Sequence, residues 1–222
     1  MDQMRLVFAS NNAHKLEEVR GIMPKGIEVL SLRDIGFEAE IEENGTTLEE
    51  NSAIKAKAVY HWILDNGHLT LDGVFADDTG LEIDALGGKP GVYTARWYLM
   101  NDGMIAGKPL NDEMMIFAAN RAKALRELEG KSDRGAQFRT VITLIRVTGD
   151  RLQDATLQVE GVVRGRIAEE EYGNRGFGYD PVFIPEGYDK TFGELPAEVK
   201  NNISHRARAL QSLVKLIFKE KL

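Results

Sequence analysis

A short apolar run, Arg5-Leu6-Val7-Phe8-Ala9, is cut off by Ser10-Asn11-Asn12, after which Leu16, Val19 and Met23 recur at helical spacing. A chain that changes period so abruptly leaves a buried strand and enters a helix through a tight turn, which directs it toward an α/β fold. The same pattern returns further on. Thr47-Leu48-Glu49-Glu50 is a capping box, with the Thr47 hydroxyl facing the Glu50 N–H and the Glu50 carboxylate reaching back, and it predicts a helix from about Leu48 to about Asp65. Val74-Phe75-Ala76 reads as a buried strand stopped by Asp77-Asp78-Thr79-Gly80, with Leu81-Glu82-Ile83 alternating beyond, so a turn between two strands is expected. A glycine- and proline-punctuated loop follows from Gly87 to Gly91. Residues from about Asn111 to Glu129 place Met115, Ala118, Ala122 and Leu125 on one helical face. Phe138 to Val147 and Leu157 to Ile167 read as long strands joined by a polar turn at Gly149-Asp150, and a last helix carries Leu210, Leu213, Val214 and Ile217 behind Ser204 as its cap. The expected architecture is α/β with a mixed sheet.

Composition narrows the function. The chain has 222 residues, enough for one large domain or two closely joined lobes at roughly 100–200 residues per domain. Its net charge of −7 gives no bulk basic field for holding a polyanion, so any anion site must be local. No cysteine is present, which removes disulfides, thiolate metal sites and cysteine nucleophiles. No apolar run approaches the roughly 18 residues that span a bilayer, and Met1-Asp2-Gln3-Met4-Arg5 does not open a secretory signal. A cytoplasmic protein without membrane or nucleic-acid partners is expected.

Several short motifs could carry chemistry. Ser10-Asn11-Asn12-Ala13-His14-Lys15 lies where a strand feeds a helix, so backbone N–H groups and the positive helix end converge beside Lys15, as in a phosphate cradle. Plain helix capping with a solvated lysine fits those residues equally well. Asp77-Asp78 follows a buried strand, and successive side chains there point to opposite faces, so one carboxylate addresses a given site while the other orients the turn. Glu42-Glu43 is a second acidic pair just ahead of the capped helix. Asn51 and Lys55 share a face near the helix end that Glu43 must approach. Arg175-Gly176-Phe177-Gly178-Tyr179-Asp180-Pro181 flanks an aromatic with glycines, so that a flat ring can approach and stack, unless the aromatics are simply buried. Ser204-His205-Arg206 opens the last helix a few residues after Lys200 and forms a second cationic helix start. Other patterns fail. Gly130-Lys131-Ser132 lacks the earlier P-loop glycine and reads as the end of a helix, the histidines at 14, 61, 68 and 205 have no zinc spacing, and no nucleophile elbow occurs. Oxygen ligands, which suit magnesium, remain.

In order along the chain, Ser10 to Lys15, Glu42-Glu43-Asn44-Gly45, Glu50-Asn51, Ala76-Asp77-Asp78-Thr79-Gly80-Leu81, Gly87-Gly88-Lys89-Pro90-Gly91, Gly176-Phe177-Gly178-Tyr179-Asp180-Pro181 and Ile203-Ser204-His205-Arg206 resemble the inosine triphosphate pyrophosphatase family. The resemblance runs from residue 10 to about 210. It implies a long central mixed β-sheet with two α/β lobes and an active cleft between them, residues 1–222 forming one such domain. It further implies a homodimer and magnesium-dependent hydrolysis of purine nucleoside triphosphates, dITP, ITP and XTP, to monophosphate and pyrophosphate. By resemblance the phosphate loop falls on Ser10, Asn11, Asn12, Ala13, His14 and Lys15. The Mg2+ ligands fall on Glu43 and Asp78, with Asp78 also catalytic and Thr79 beside the substrate. Asn51 and Lys55 face the triphosphate, Phe177, Gly178, Tyr179 and Asp180 bind the base, and Lys200, His205 and Arg206 close over base and phosphate. The stretch from Trp97 to Asn111 looks longer than is usual in the family, in a place where a dimer contact or lid would be altered, and 131–136 carries no family motif. Attack of water on the α-phosphorus, with Asp78 taking its proton, follows from the family and not from spacing. A pocket that accepts a 6-oxo group and leaves a 6-amino group unsatisfied would select inosine and xanthine, with His205 and nearby backbone donors reading that edge. A pyrophosphatase for modified pyrimidine triphosphates fits the stacking loop less well. A non-hydrolysing sensor would not need both Glu43 and Asp78, and a nucleic-acid module is disfavoured by the charge.

Overall fold

The computed structural model describes residues 3–67, 70–101, 104–105, 109–147 and 156–219. The strands are β1 (Met4–Phe8), β2 (Ile27–Leu30), β3 (Gly73–Ile83), β4 (Lys89–Gly91), β5 (Met100–Asn101), β6 (Met104–Ile105), β7 (Gly135–Arg146), β8 (Thr156–Ile167) and β9 (Phe183–Pro185). The α-helices are α1 (Ala13–Ile22), α2 (Leu48–Asp65), α3 (Glu113–Glu127), α4 (Ala197–Ile203) and α5 (His205–Lys219). Among the described residues the main sheet runs β2-β1-β3-β7-β8-β9, with β4 on β3; β5 and β6 pair separately. It is mixed, as the sequence predicts: β1 lies parallel to β2 and β3, whereas β3–β4 and β8–β9 are antiparallel. No helix among the described residues is long and apolar enough to cross a membrane.

The chain divides into two compact units. The first comprises Met1–Asp78, Thr140–Gly161 and His205–Leu222; the second comprises Thr79–Arg139 and Val162–Ser204. In the first unit, alternation along β1 sends Leu6 and Phe8 into one cluster, with Val19 of α1 and Leu210, Leu213 and Ile217 of α5. Val7 and Ala9 go to the other face, with Val59, Tyr60 and Ile63 of α2. Phe8 and Phe75 stack at 4.9 Å in the first of these clusters. The second unit has its own core, in which Leu81, Ile83, Phe138, Val182, Phe183 and Phe192 surround Ala124 and Leu128.

Helix α2 occupies Leu48–Asp65 as predicted, with both bonds of the Thr47/Glu50 box formed. Three readings are corrected. The turn expected at Asp77-Asp78-Thr79-Gly80 is strand interior, since β3 continues to Ile83. The acidic pair interrupts nothing because its carboxylates meet buried cations. Gly80 serves close packing rather than turning, since a Cβ there would lie 3.1 Å from the Gly91 carbonyl on β4. Part of the loop read at 87–91 is accordingly the strand β4. Helix α3 is rotated from the predicted face: Met115 is 58% exposed and Ala118 and Ala122 are exposed, Leu125 does pack on the core, and Asn120, Lys123 and Ala124 are buried. The Asn120 amide accepts from Tyr98 N at 2.7 Å and donates to Ala95 O at 3.0 Å, and the Lys123 ammonium donates to Met100 O. Satisfying that backbone overrides the apolar pattern. The turn at Gly149-Asp150 and His68 lie outside the described residues, as do 102–103 and 106–108 of the 97–111 stretch.

Candidate active site

The first unit gathers most of the residues singled out above around two adjacent carboxylates. Strand alternation points Asp77 toward α1 and α5 and Asp78 toward α2. Asp77 is 1% exposed; Lys15 Nζ donates to its Oδ1 at 2.9 Å and Arg206 Nε to its Oδ2 at 3.0 Å. Arg206, also buried, pairs through Nη1 with Glu18 of α1. Burial alone would raise the Asp77 pKa, but Lys15 and then Arg206 hold the carboxyl well below the ordinary carboxylate range. Asp77 thus anchors two cations instead of orienting a turn, which corrects the role expected from the sequence.

Lys15 is placed by the strand-to-helix passage. Asn12 caps α1 by accepting from Lys15 N at 2.9 Å, and Ser10 Oγ accepts from Asn12 N at 3.3 Å. Asn11, Ala13 and His14 complete this segment. Burial lowers the Lys15 pKa, and Lys55 and Arg206 push in the same direction against the opposing pull of Asp77. A cation under that pressure gains from any additional anion nearby.

On the α2 side, Asn51 Nδ2 donates to Asp78 Oδ2 at 3.3 Å. Lys55 Nζ donates to Asp78 Oδ1 at 3.3 Å and to Glu43 Oε2 at 2.7 Å. The shared face predicted for Asn51 and Lys55 is therefore used by both residues. Asn51 also accepts from Gly45 N at 2.8 Å, fastening the loop that carries Glu43; a Cβ on Gly45 would stand 2.7 Å from that amide oxygen. Asp78 behaves oppositely to its neighbour. Burial raises its pKa, Glu43 and Asp77 add to the rise, and Lys55 and Lys15 only partly oppose it. Lys55 is pushed up by Asp78 and Glu43 in spite of the lowering effect of burial. Thr79 follows Asp78, partly buried.

The second unit holds the 177–180 loop. Asp180 Oδ2 accepts from Phe177 N at 2.7 Å and from Lys200 Nζ at 2.6 Å, and all three residues close a compact knot. The Lys200 ammonium lies 4.9 Å from the Phe177 ring centroid. Gly176 has φ +71°, and a Cβ there would come within 2.0 Å of Asp180 Oδ2, so the flanking glycine is obligatory. Gly178 has φ +61°. Tyr179 is buried, its hydroxyl donates to Thr94 O at 3.2 Å, and burial pushes its pKa up. The loop thus exposes part of Phe177 and sinks Tyr179. His205 and Arg206 begin α5 and are buried, with Ser204 closing α4.

Five contributors had no signal in the sequence. Glu18 is simply an acid on α1. Ser52 Oγ and Thr143 Oγ1 share a buried hydrogen bond at 2.7 Å, and Gln158 bonds Thr143 at 2.9 Å, tying the start of α2 to the sheet. Arg121 of α3 donates from Nη1 to Gly178 O at 2.8 Å.

With this geometry in place, comparison with known proteins is decisive: the Ham1 family model matches residues 6–216. The chain belongs to the Ham1 family. Family relatives include the dITP/XTP pyrophosphatase of Bacillus subtilis, 44% identical over 214 residues that cover 95% of this chain and 96% of that protein. The dITP/XTP pyrophosphatase of Flavobacterium johnsoniae is 43% identical over 214 residues, covering 96% and 98%. Among solved structures, the Staphylococcus aureus Ham1 protein aligns with a TM-score of 0.75 at 35% identity, covering 97% of this chain and 99% of that one. The nucleoside-triphosphatase, dITP/XTP pyrophosphatase, from Mycobacterium abscessus aligns at 0.64 and 36%, covering 95% and 98%. The Ham1 match agrees with the resemblance carried by the motifs.

Among the described residues, no group of three or more His, Cys, Asp or Glu is arranged to hold a metal ion. Glu43 and Asp78, which the resemblance gives to magnesium, converge on the Lys55 ammonium. A cation already stands between two partly buried carboxylates, and hard oxygen donors in that setting fit a divalent ion of the magnesium type.

Proposed function

We propose that this Ham1 protein hydrolyses the non-standard purine nucleoside triphosphates dITP, ITP and XTP to the monophosphate and pyrophosphate. The observation that carries this reading is the opposed pair Asp77 and Asp78, one fixed as an anion among buried cations and the other left with a raised pKa beside Glu43. Divergent pKa values on neighbouring carboxylates separate a structural anion from a proton acceptor. The names of the full-length Ham1 relatives support the substrate class.

In this reading Lys15, Lys55 and Arg206 face the triphosphate, with Asn51 and the Ser10 to His14 segment adding hydrogen-bond donors. Three cations meet four carboxylates, Glu18, Glu43, Asp77 and Asp78, so the cluster is one positive charge short even before a polyanion arrives. Glu43 and Asp78 would hold Mg2+, which when bound neutralises phosphate charge and polarises the reacting phosphoryl group. Asp78 accepts the proton of the water that attacks the α-phosphorus, and Asn51 and Lys55 hold its carboxylate in line. Asp77 keeps Lys15 and Arg206 charged and oriented, and Thr79 lies next to the substrate. The base stacks on Phe177, and Gly178, Tyr179, Asp180, Lys200 and His205 form its surroundings. The protein would work in the cytoplasm as a homodimer; sedimentation of the purified chain tests the dimer.

The deciding experiment is pyrophosphate release from dITP, XTP, dATP, dGTP, dTTP and dUTP, with and without Mg2+. Expected are strong turnover of dITP and XTP, little of the others, and loss of activity in EDTA. Release of orthophosphate instead, or equal turnover of all six, would refute the assignment.

A further inference from the structure

Within the second unit, α3 does more than cover the core. Arg121, with its side chain only 11% exposed, sends Nη1 to the Gly178 carbonyl at 2.8 Å and places Nε 3.0 Å from Glu171 Oε2. One turn earlier, Phe117 sets its ring 6.1 Å from that of Phe177. A single helix face therefore touches the 177–180 loop at its aromatic and at its backbone, while Glu171 steers the guanidinium from the preceding loop. A flexible glycine needs such an external hold. Gly178, at φ +61°, is the first central residue of the turn that Asp180 N closes on Phe177 O at 3.2 Å, and the peptide between the two central residues of such a turn can face either way, so a bond to its oxygen selects the direction. The Gly178–Tyr179 bond is not among the cis peptides. In a trans peptide the carbonyl and the next N–H point in opposite directions, so fixing the Gly178 oxygen on α3 also fixes the Tyr179 N–H on the far side of the loop.

We propose that Arg121 is a specificity-determining positioning residue: by gripping the Gly178 carbonyl it orients the Tyr179 N–H as a donor to the 6-oxo group of the purine. A 6-amino group presents a donor to that N–H and is rejected. Arg121 itself does not touch substrate, and Glu171 holds it in place. The inference rests on the purine pyrophosphatase reading above and adds to it a device that separates 6-oxo from 6-amino purines.

The test measures kcat and KM for dITP and dATP in the wild type, Arg121→Met, Arg121→Lys and Glu171→Gln, with thermal midpoints alongside. Loss of one charge-assisted bond to the loop predicts that the dITP over dATP preference in kcat/KM shrinks about tenfold in Arg121→Met, mostly through a higher KM for dITP while kcat stays within about twofold. Arg121→Lys, which keeps one donor, recovers part of the preference. Glu171→Gln, which leaves the guanidinium less well steered, loses about threefold by the weaker effect expected of a partly exposed ion pair. A preference unchanged in folded Arg121→Met overturns the proposal. If that variant does not fold, a preference unchanged in both Arg121→Lys and Glu171→Gln overturns it. A wild type that shows no dITP preference at all refutes the parent reading and this inference with it, an outcome distinct from a selective wild type whose variants remain equally selective.

Discussion

The carboxylate cluster of the first unit and the aromatic loop of the second both bury an acid against a cation, but they are assembled in opposite ways. Asp77 is held by partners 62 and 129 residues away, and Arg206 reaches Glu18 across 188 residues. Asp180 is held by Phe177, three residues earlier, and by Lys200, 20 residues later. The first centre forms only when β1, β3, α1, α2 and α5 have all docked. The second is built largely from its own residues and α4, with α3 adding Arg121 on the Gly178 carbonyl and Phe117 beside Phe177. A centre that must compensate several charges recruits them from the whole unit, whereas one that must present a flat ring can be built locally.

That contrast can be broken at graded points. The largest effect is expected at Asp78→Asn, which removes the proton acceptor while keeping size and the Asn51 contact; pyrophosphate release from dITP should fall by about 10²–10⁴-fold. Near-normal turnover would remove Asp78 from the chemistry. Next comes Asp77→Asn, which takes from Lys15 its buried anion and leaves Arg206 with Glu18, and should cost about 3–5 kcal/mol in urea unfolding of the metal-free protein. Asp180→Asn, which strands one cation, should cost less.

Asp77→Asn compared with the wild type also gives a pH signature. The folded-state pKa of Asp77 is depressed, so its contribution is present above the unfolded value, 3.8, and is lost as pH falls toward the folded value. Urea midpoints measured between pH 7 and pH 3 should therefore drop more steeply in the wild type than in Asp77→Asn; parallel curves would mean that Asp77 does not supply the stability.

A smaller effect is expected at Phe177→Ala, which should lower kcat/KM for dITP by the equivalent of about 1–3 kcal/mol of base stacking while leaving the urea midpoint nearly unmoved. A shift in midpoint larger than the shift in kcat/KM would make the ring structural. The smallest is Thr47→Ala, which should lose about 1 kcal/mol of stability through the cap at α2, read in the thermal midpoint.

What could be read in the sequence follows from the range of the interactions. The α2 boundaries were fixed by a capping box only four residues long, and the shared use of Asn51 and Lys55 followed from helical period alone. The 177–180 knot was readable because its own glycines, aromatic and acid make it. The Asp77-Asp78 strand was misread as a turn because an acidic pair before glycine signals a turn unless distant cations are known to be waiting. The α3 face was misread because Asn120 and Lys123 turn inward to satisfy the backbone of residues 94–100, a demand that no period records. Glu18, Thr143 and Arg121 escaped for the same reason, their partners being remote in the chain.

Placing the two acids side by side in β3 ties chemistry to strand alignment. Leu6, Val7 and Phe8 sit opposite Gly73, Val74 and Phe75, and Gly80 is wedged against Gly91. Sliding this segment by a single position would turn every side chain to the opposite face, so that at most one of the two acids could meet the other's partners and the second would be carried past both sets. Insertions or deletions anywhere from 73 to 80 should therefore abolish turnover even where the hydrophobic interior can re-form, whereas substitutions that preserve the count leave room for adjustment.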